Sequence, residues 1–279
     1  MCIRALSLDE CRRLTQTARV GVIARLGIGA LAAALSSAAW ADDAPICPDR
    51  PSKGTGTCTV PAGHWQVETG VGDWTHDRAD GATSDFTMIG ATLLKYGVSD
   101  RTDVEIGIVP YQWLRAGDYR VSGFGDMLVR SKLRLTREDA PVQLAIDPFV
   151  KLPTANHSLG NGKVEGGITA PVAAPLGGAL SIAFAPEVDW RADGDGHGRH
   201  AAMMQLIDLG IAASERLSLT AELWGQWDWD PAGTGKQVSA DGAAAYLAGQ
   251  NLQLDAGANF GLNRQTPDVE LYAGVSTRF

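Results

Sequence analysis

The sequence predicts an all-β protein: a transmembrane antiparallel up-and-down β-barrel of about 12 strands, following a cleaved signal peptide. Three observations carry this. The first 41 residues read as an export signal. From His64 onward, apolar and polar residues alternate with period two and no helical period appears. The connections between the alternating segments are short and long in turn.

The leader comes first. Arg12, Arg13, Arg19 and Arg25 precede an apolar run from Leu26 to Ala39, and Ala39-Trp40-Ala41 is a small-x-small site with cleavage expected after Ala41. The run is shorter than the roughly 20 residues that a membrane-spanning helix needs. The region before it is long and holds Asp9 and Glu10, so the true translation start is expected near Val20, which N-terminal peptide mapping checks.

The chain of 279 residues carries a net charge of −8, and loss of the leader, with its five arginines and two acids, makes it more acidic still. That excludes nucleic acid as a partner, since such partners want a basic surface. The mean hydropathy of −0.06 fits a barrel whose strands mix apolar and polar positions. Cys2 and Cys11 leave with the leader; Cys47 and Cys58 remain, an even pair in an exported chain, and read as a disulfide. Residues 42–62 hold Pro45, Pro48, Pro51, Gly54, Gly56 and Pro61 and read as an irregular, plug-like periplasmic lead-in stapled by that disulfide. The barrel is expected over 63–279.

The strands follow in order. Residues 64–73 set Trp65, Val67, Thr69 and Val71 against Gln66 and Glu68. Residues 85–97 alternate Phe86, Met88 and Leu94 against Thr87, Leu93 and Lys95, and 102–112 alternate Val104, Ile106, Ile108 and Pro110 against Asp103 and Glu105. In 123–137, Val129, Leu133 and Leu135 oppose Arg130, Lys132 and Arg134; in 142–152, Leu144, Ile146 and Val150 oppose Asp147 and Lys151. Residues 163–174 are rich in small side chains, with Glu165 on the polar face; 179–190 set Ile182, Phe184, Pro186 and Val188 against Glu187 and Asp189. The pattern of 200–213 is ambiguous, because Gln205 shares a face with Ile207 and Leu209. In 216–228, Leu219 and Leu223 oppose Glu222; 241–248 is the weakest strand; in 252–260, Leu252 and Leu254 oppose Asp255. The closing strand, 269–279, sets Leu271, Val275 and Phe279 against Glu270, Tyr272 and Arg278.

Five connections are tight, and six, at about 74–84, 113–122, 153–162, 191–199, 229–240 and 261–268, are longer. Odd-numbered strands precede the long ones, which is the rule of short periplasmic turns and long outer loops. A soluble sandwich has no reason to alternate so strictly. It would bury its apolar faces, whereas a membrane barrel turns them to lipid and lines its lumen with the polar ones. Strand lengths match the roughly 9–11 tilted residues that cross a bilayer. Trp65, Tyr111, Trp113, Trp190, Trp227, Trp229, Phe260 and Phe279 fall near strand ends, as interface girdles do.

The polar faces then converge inside. Glu68, Lys95, Glu105, Arg130, Lys132, Arg134, Glu187, Glu222, Asp255 and Glu270 are the expected lumen-lining residues, with a basic patch on the fourth strand facing an acidic arc. A barrel of twelve strands is narrow, well short of a sixteen-stranded porin channel. His197 and His200, with Asp193 and Asp195, have the residue types of a metal site but read as a solvated, Gly-rich outer loop, so neither metal nor cofactor is expected. No distinctive serine motif accompanies the five histidines, and the chain is not expected to be an enzyme.

The segment Cys47-Pro48-Asp49-Arg50-Pro51, followed by Val60-Pro61-Ala62-Gly63-His64-Trp65-Gln66-Val67-Glu68-Thr69-Gly70, resembles the start of a bacterial transporter family, the MetA-pathway of phenol degradation family. There an Asp-Arg-Pro segment precedes a first strand of the form Pro-x-Gly-x-aromatic-x-x-Glu. The turn Gly97–Arg101 and Gly125-Asp126 are similar to the same family, and the resemblance spans essentially the whole mature chain. It implies an outer-membrane barrel of a Gram-negative cell that passes a small aromatic or hydrophobic solute. The alternatives are a structural or adhesive barrel acting through its outer loops, or an outer-membrane lipid-modifying enzyme. Expected partners are outer-membrane lipid, the solute and the barrel assembly machinery, which would read the closing strand at Tyr272 and Phe279.

Overall fold

The computed structural model describes residues 45–79 and 81–279. The predicted leader and its cleavage site lie outside them.

All regular structure among the described residues is β, in one antiparallel sheet that closes on itself. Twelve wall strands go round in sequence order. They are β1 (Trp65–Ala79), β2 (Ala82–Ile89 and Ala91–Ser99), β3 (Thr102–Ile108 and Tyr111–Ala116), β4 (Tyr119–Gly123 and Met127–Arg134), β5 (Gln143–Leu152) and β6 (Glu165–Thr169 and Val172–Gly177). Then follow β7 (Leu180–Phe184 and Glu187–Ala192), β8 (Arg199–Ala212), β9 (Leu217–Asp228), β10 (Gly235–Gly249), β11 (Leu252–Gly261) and β12 (Val269–Arg278). Closure is between β1 and β12, with Gln66 opposite Arg278 and His76 opposite Val269. No helix among the described residues is long and apolar enough to cross a membrane.

Five strands are interrupted, and three of the breaks have a chemical cause. Pro110, Pro171 and Pro186 fall at the breaks in β3, β6 and β7, where proline cannot donate to the ladder. The sequence pattern treats Pro110 and Pro186 as ordinary apolar positions; they fall instead at interruptions of the ladder.

Two expected long loops are not loops. β1 and β2 pair up to Ala79 opposite Ala82, and β3 and β4 pair up to Ala116 opposite Tyr119. Residues 74–79 and 82–84, and residues 113–122, are therefore parts of hairpins, and the two hairpins pair with one another through Ser84–Ile89 and Tyr111–Ala116. They read as loops because the polar residues Thr75, Asp77, Arg78, Thr83, Ser84 and Asp85 cluster there, which hides the strand signal. The weak strand at 241–248 is also longer than expected: β10 starts at Gly235 and pairs with β9 along twelve positions, from Leu217–Tyr246 to Asp228–Gly235.

Burial is inverted relative to a soluble protein. The largest fully buried side chains include Lys95, Lys132, Glu68, Glu105, Asp103 and Asp147. Val104, Ile106, Ile108, Val129, Val150, Leu219, Leu223, Leu254 and Leu271 are exposed on the outside. In water this arrangement would be unstable; in a bilayer the outer wall meets hydrocarbon, and the closed sheet leaves no unpaired edge. Trp190, Phe260 and Trp229 stand out from this wall and are each about half exposed. The eighth strand resolves its ambiguity the same way: His200, Ala202 and Leu206 are buried inside, and Gln205 faces outward and turns its amide to the Leu206 carbonyl oxygen.

Candidate functional site

The barrel interior is occupied by the chain's own lead-in. Residues 46–60 form a loop inserted from the end that carries the short turns. At that end the Ile46 amide donates to the Gln250 carbonyl in the β10–β11 turn, and the Val60 amide donates to Asp103 Oδ2 at the foot of β3. The Cys47–Cys58 disulfide joins the two limbs of the loop. Its tip reaches the interior wall, where Lys53 Nζ stands 4.7 Å over the Trp224 ring and a Cβ on Gly54 would touch Ala185 at 3.0 Å. Ala185, Leu206, Trp224 and Met204 make a small apolar cluster there. The wall is glycine where the limbs press closest. A Cβ at Gly97 would collide with the Pro61 and Val60 carbonyl oxygens, and one at Gly274 with the Arg50 guanidinium.

Charge decides how this loop sits. On one side of the lumen stand Lys95 of β2 and Arg130 and Lys132 of β4. Asp49 of the lead-in meets all three: Lys95 Nζ and Lys132 Nζ at 2.6 Å each and Arg130 Nη2 at 3.0 Å. The wall adds Glu68 to Lys95 at 2.6 Å, and Glu105 and Asp147 to Arg130 at 2.7 and 3.3 Å. On the opposite side stand Asp255, Asp241, Glu270 and Glu222. There the next residues of the lead-in supply the countercharge. Arg50 Nη2 lies 2.7 Å from Asp255 Oδ1, and Lys53 Nζ lies 3.4 Å from Asp241 and 3.8 Å from Glu270. Glu68 also accepts the Asp49 and Arg50 amides at 3.0 and 3.1 Å, Glu222 accepts the Lys53 amide at 3.4 Å, and Gln253 donates to the Arg50 carbonyl at 3.0 Å. A basic arc and an acidic arc thus share one strap that is acidic on the first side and basic on the second. Charges out of water hold together only when paired and hydrogen-bonded like this.

Asp49 shows the balance directly. Burial is the largest influence and opposes its ionisation, but Lys132, Lys95 and Arg130 together outweigh it and hold the carboxyl well below the ordinary carboxylate range. A depressed folded value gives stabilisation that is complete above the ordinary carboxylate pKa of about 3.9 and lost as pH falls through the folded value. The lead-in is therefore expected to stay seated through pH 5 and to loosen only in stronger acid. Planar-bilayer conductance against pH reads this, and opening with a midpoint between pH 5 and 6 would contradict it.

Of the ten expected lumen-lining residues, Glu68, Lys95, Glu105, Arg130, Lys132, Glu222, Asp255 and Glu270 meet in this network. Glu187 is inside but apart, accepting a hydrogen bond from Thr169. Arg134 sits at the turn end of β4, where it donates to the Asp100 carbonyl at 2.7 Å. Tyr272, expected at the assembly signal, points inward beneath Arg50, with the guanidinium 5.8 Å from the ring centre; Phe279 faces out. Sequence reasoning missed Asp49, Arg50, Lys53, Asp103 and Asp241 as members of the site. Asp103, like its neighbour Glu105, lies on the polar parity of its strand and was open to the same reading.

Beyond the tip, a cavity of about 320 Å³ remains between lead-in and wall. Leu93, Val109 and Leu128 supply apolar lining, Asp126, Arg130 and Glu187 supply charged groups from the wall, and Asp49, Arg50 and Lys53 supply them from the lead-in. Mixed lining of this kind suits a small molecule that is largely apolar with one polar end.

Severing the disulfide should free the limbs. A cross-link closing a loop of this size contributes roughly 3 kcal/mol in the chain-entropy account. Cys47→Ser with Cys58→Ser is expected to raise the rate at which protease cleaves within residues 45–61 in detergent several-fold; an unchanged rate would mean that the ion pairs alone hold the loop.

A sequence profile described as "Putative MetA-pathway of phenol degradation" matches residues 48–279. No curated protein sequence matches the chain. Among solved structures, an outer membrane channel from Pseudomonas putida F1 is similar at 17% identity, covering 80% of this chain and 98% of its own, with a TM-score of 0.64. The translocator domain of the autotransporter NalP from Neisseria meningitidis is similar at 11% identity, covering 79% of this chain and 90% of its own, with a TM-score of 0.50. At these identities the likeness is one of fold. The closed wall, its apolar exterior and this fold place the chain in the Gram-negative outer membrane.

Proposed function

The chain belongs to the MetA-pathway of phenol degradation family, and from that premise we propose that it is an outer-membrane channel for passive uptake of a small aromatic or hydrophobic solute. The observation that carries this is the cavity beside the lead-in tip, where Leu93 and Leu128 lie next to Arg130 on one wall and Glu187 also contributes. An aromatic ring would lie against the leucines, and a hydroxyl or carboxylate would take Arg130. The eight networked residues and Glu187 line the route, and the stapled lead-in closes its periplasmic half at rest. Uptake then requires the strap to shift, and the ion pairs of Asp49, Arg50 and Lys53 are what resists that shift. Phe279, at the end of the closing strand, is the group offered to the barrel assembly machinery. Catalysis has no part in this reading.

The test is uptake into proteoliposomes of hydroxybenzoate, an aromatic acid that crosses lipid slowly by itself, against glucose. The expected result is hydroxybenzoate entry several-fold above protein-free vesicles, with glucose at background. Equal entry of both, or none of either, would contradict the proposal.

A further inference from the structure

The loop from β7 to β8, residues 193–198, and the loop from β9 to β10, residues 229–234, meet at the end of the barrel opposite the lead-in's entry. Where they meet, His200 is nine-tenths buried, at 8% exposure, although its neighbour His197 is exposed. Sequence reasoning places both histidines in solvent; the first turn of the wall ladder at β8 instead turns His200 inward.

Its two ring nitrogens have different partners. Nδ1 lies 2.8 Å from Asp193 Oδ1 in a hydrogen bond. Nε2 lies 2.6 Å from Asp228 Oδ1, an ion-pair distance, and both atoms are buried. Asp193 and Asp228 thus flank one imidazole with Asp230 close by, more carboxylates than the one guanidinium paired there, that of Arg191, balances, an arrangement that calls for a further cation.

Arg191, the cross-strand partner of His200, is taken up by Asp189 and by the other oxygen of Asp228, at 3.1 Å. Asp230 comes in from the second loop. One ligand atom each from Asp193, His200 and Asp230 lie within 4.8 Å of one another. Asp230 is oriented by two backbone amides, Gly194 to Oδ2 at 2.9 Å and Ala232 to Oδ1 at 2.8 Å. Hydrogen bonds of this kind hold a carboxylate in place as a metal ligand.

An imidazole nitrogen with two or three carboxylate oxygens at this spacing is a ligand set for zinc, which binds such donors at about 2.0–2.2 Å in a tetrahedron. Calcium and magnesium take oxygen ligands and have no use for the histidine. We propose that His200, Asp193 and Asp230, with Asp228 beside them, bind one zinc-type divalent cation that ties the two loops together at the rim. The proposal is independent of the solute reading, because these residues are not part of the lead-in network.

The test is calorimetric titration of zinc alone into tag-free, chelator-treated mature protein in detergent. Wild type is expected to bind one equivalent. His200→Gln and Asp230→Asn should each weaken binding at least tenfold, and His197→Gln should bind as wild type. Heat-modifiable gel migration shows which variants have folded; if His200→Gln does not fold, Asp230→Asn decides. No zinc uptake by wild type, or uptake unchanged in Asp230→Asn, would overturn the proposal.

Discussion

Asp49→Ala is expected to unseat the lead-in and convert a low-conductance barrel into an open one. The carboxylate meets three cations at 2.6–3.0 Å, and two of them, Lys95 and Lys132, have side chains that are 2% and 0% exposed. Removing one partner of a buried ion pair leaves the others uncompensated and costs about 3–5 kcal/mol. The wall carboxylates Glu68, Glu105 and Asp147 blunt this loss for the lysines and for Arg130, and of the three Glu68 alone also grips the strap, through the Asp49 and Arg50 amides. The cost therefore falls mainly on docking. Single-channel recordings should show a several-fold rise in conductance, and heat-modifiable migration should still show a folded barrel. Conductance equal to wild type would mean that Arg50 and Lys53 suffice to seat the loop.

The second large effect is on the outer wall. Ile106→Arg places a guanidinium on a side chain that is 46% exposed and faces outward beside Leu94 and Val129. At mid-membrane an arginine on the lipid face costs roughly 2–4 kcal/mol. The variant should lose about that much in equilibrium unfolding from phospholipid vesicles, and Ile106→Val should lose far less. If the arginine costs nothing, Ile106 faces water and the inverted wall is wrong.

The wall was legible because its physics is local. A side chain two residues along returns to the same face, so Val104, Ile106 and Ile108 separate from Asp103 and Glu105 without any knowledge of what lies across the barrel. The inward set followed from parity, which is why eight of the ten residues named from sequence meet in one network. Parity has no height, however. It could not show that Arg134 stops at the turn end, nor that Glu187 stands apart. The hairpins at 74–84 and 113–122 were misread because polar residues cluster on them, so the alternation that marks a half-buried strand is missing.

The lead-in was the least legible part. Asp49, Arg50 and Lys53 sit among prolines and glycines with no period, and their partners are distant in the chain: Arg50 and Asp255 are 205 residues apart. The even cysteine pair announced a stapled loop, and the excess of acids on one arc and bases on the other announced a need for countercharge. Only the fold shows that the loop supplies it. His200 was hidden for a related reason, since a Gly-rich motif argues for exposure while the ladder of β8 turns that one side chain inward.

In the proposed channel the stapled lead-in is the closure. The most direct measurement compares planar-bilayer conductance of the mature protein with that of a variant lacking residues 45–61, both verified as folded barrels. The account predicts small or absent unitary currents for the first and a stable, several-fold larger conductance for the second. Identical currents from the two would contradict it.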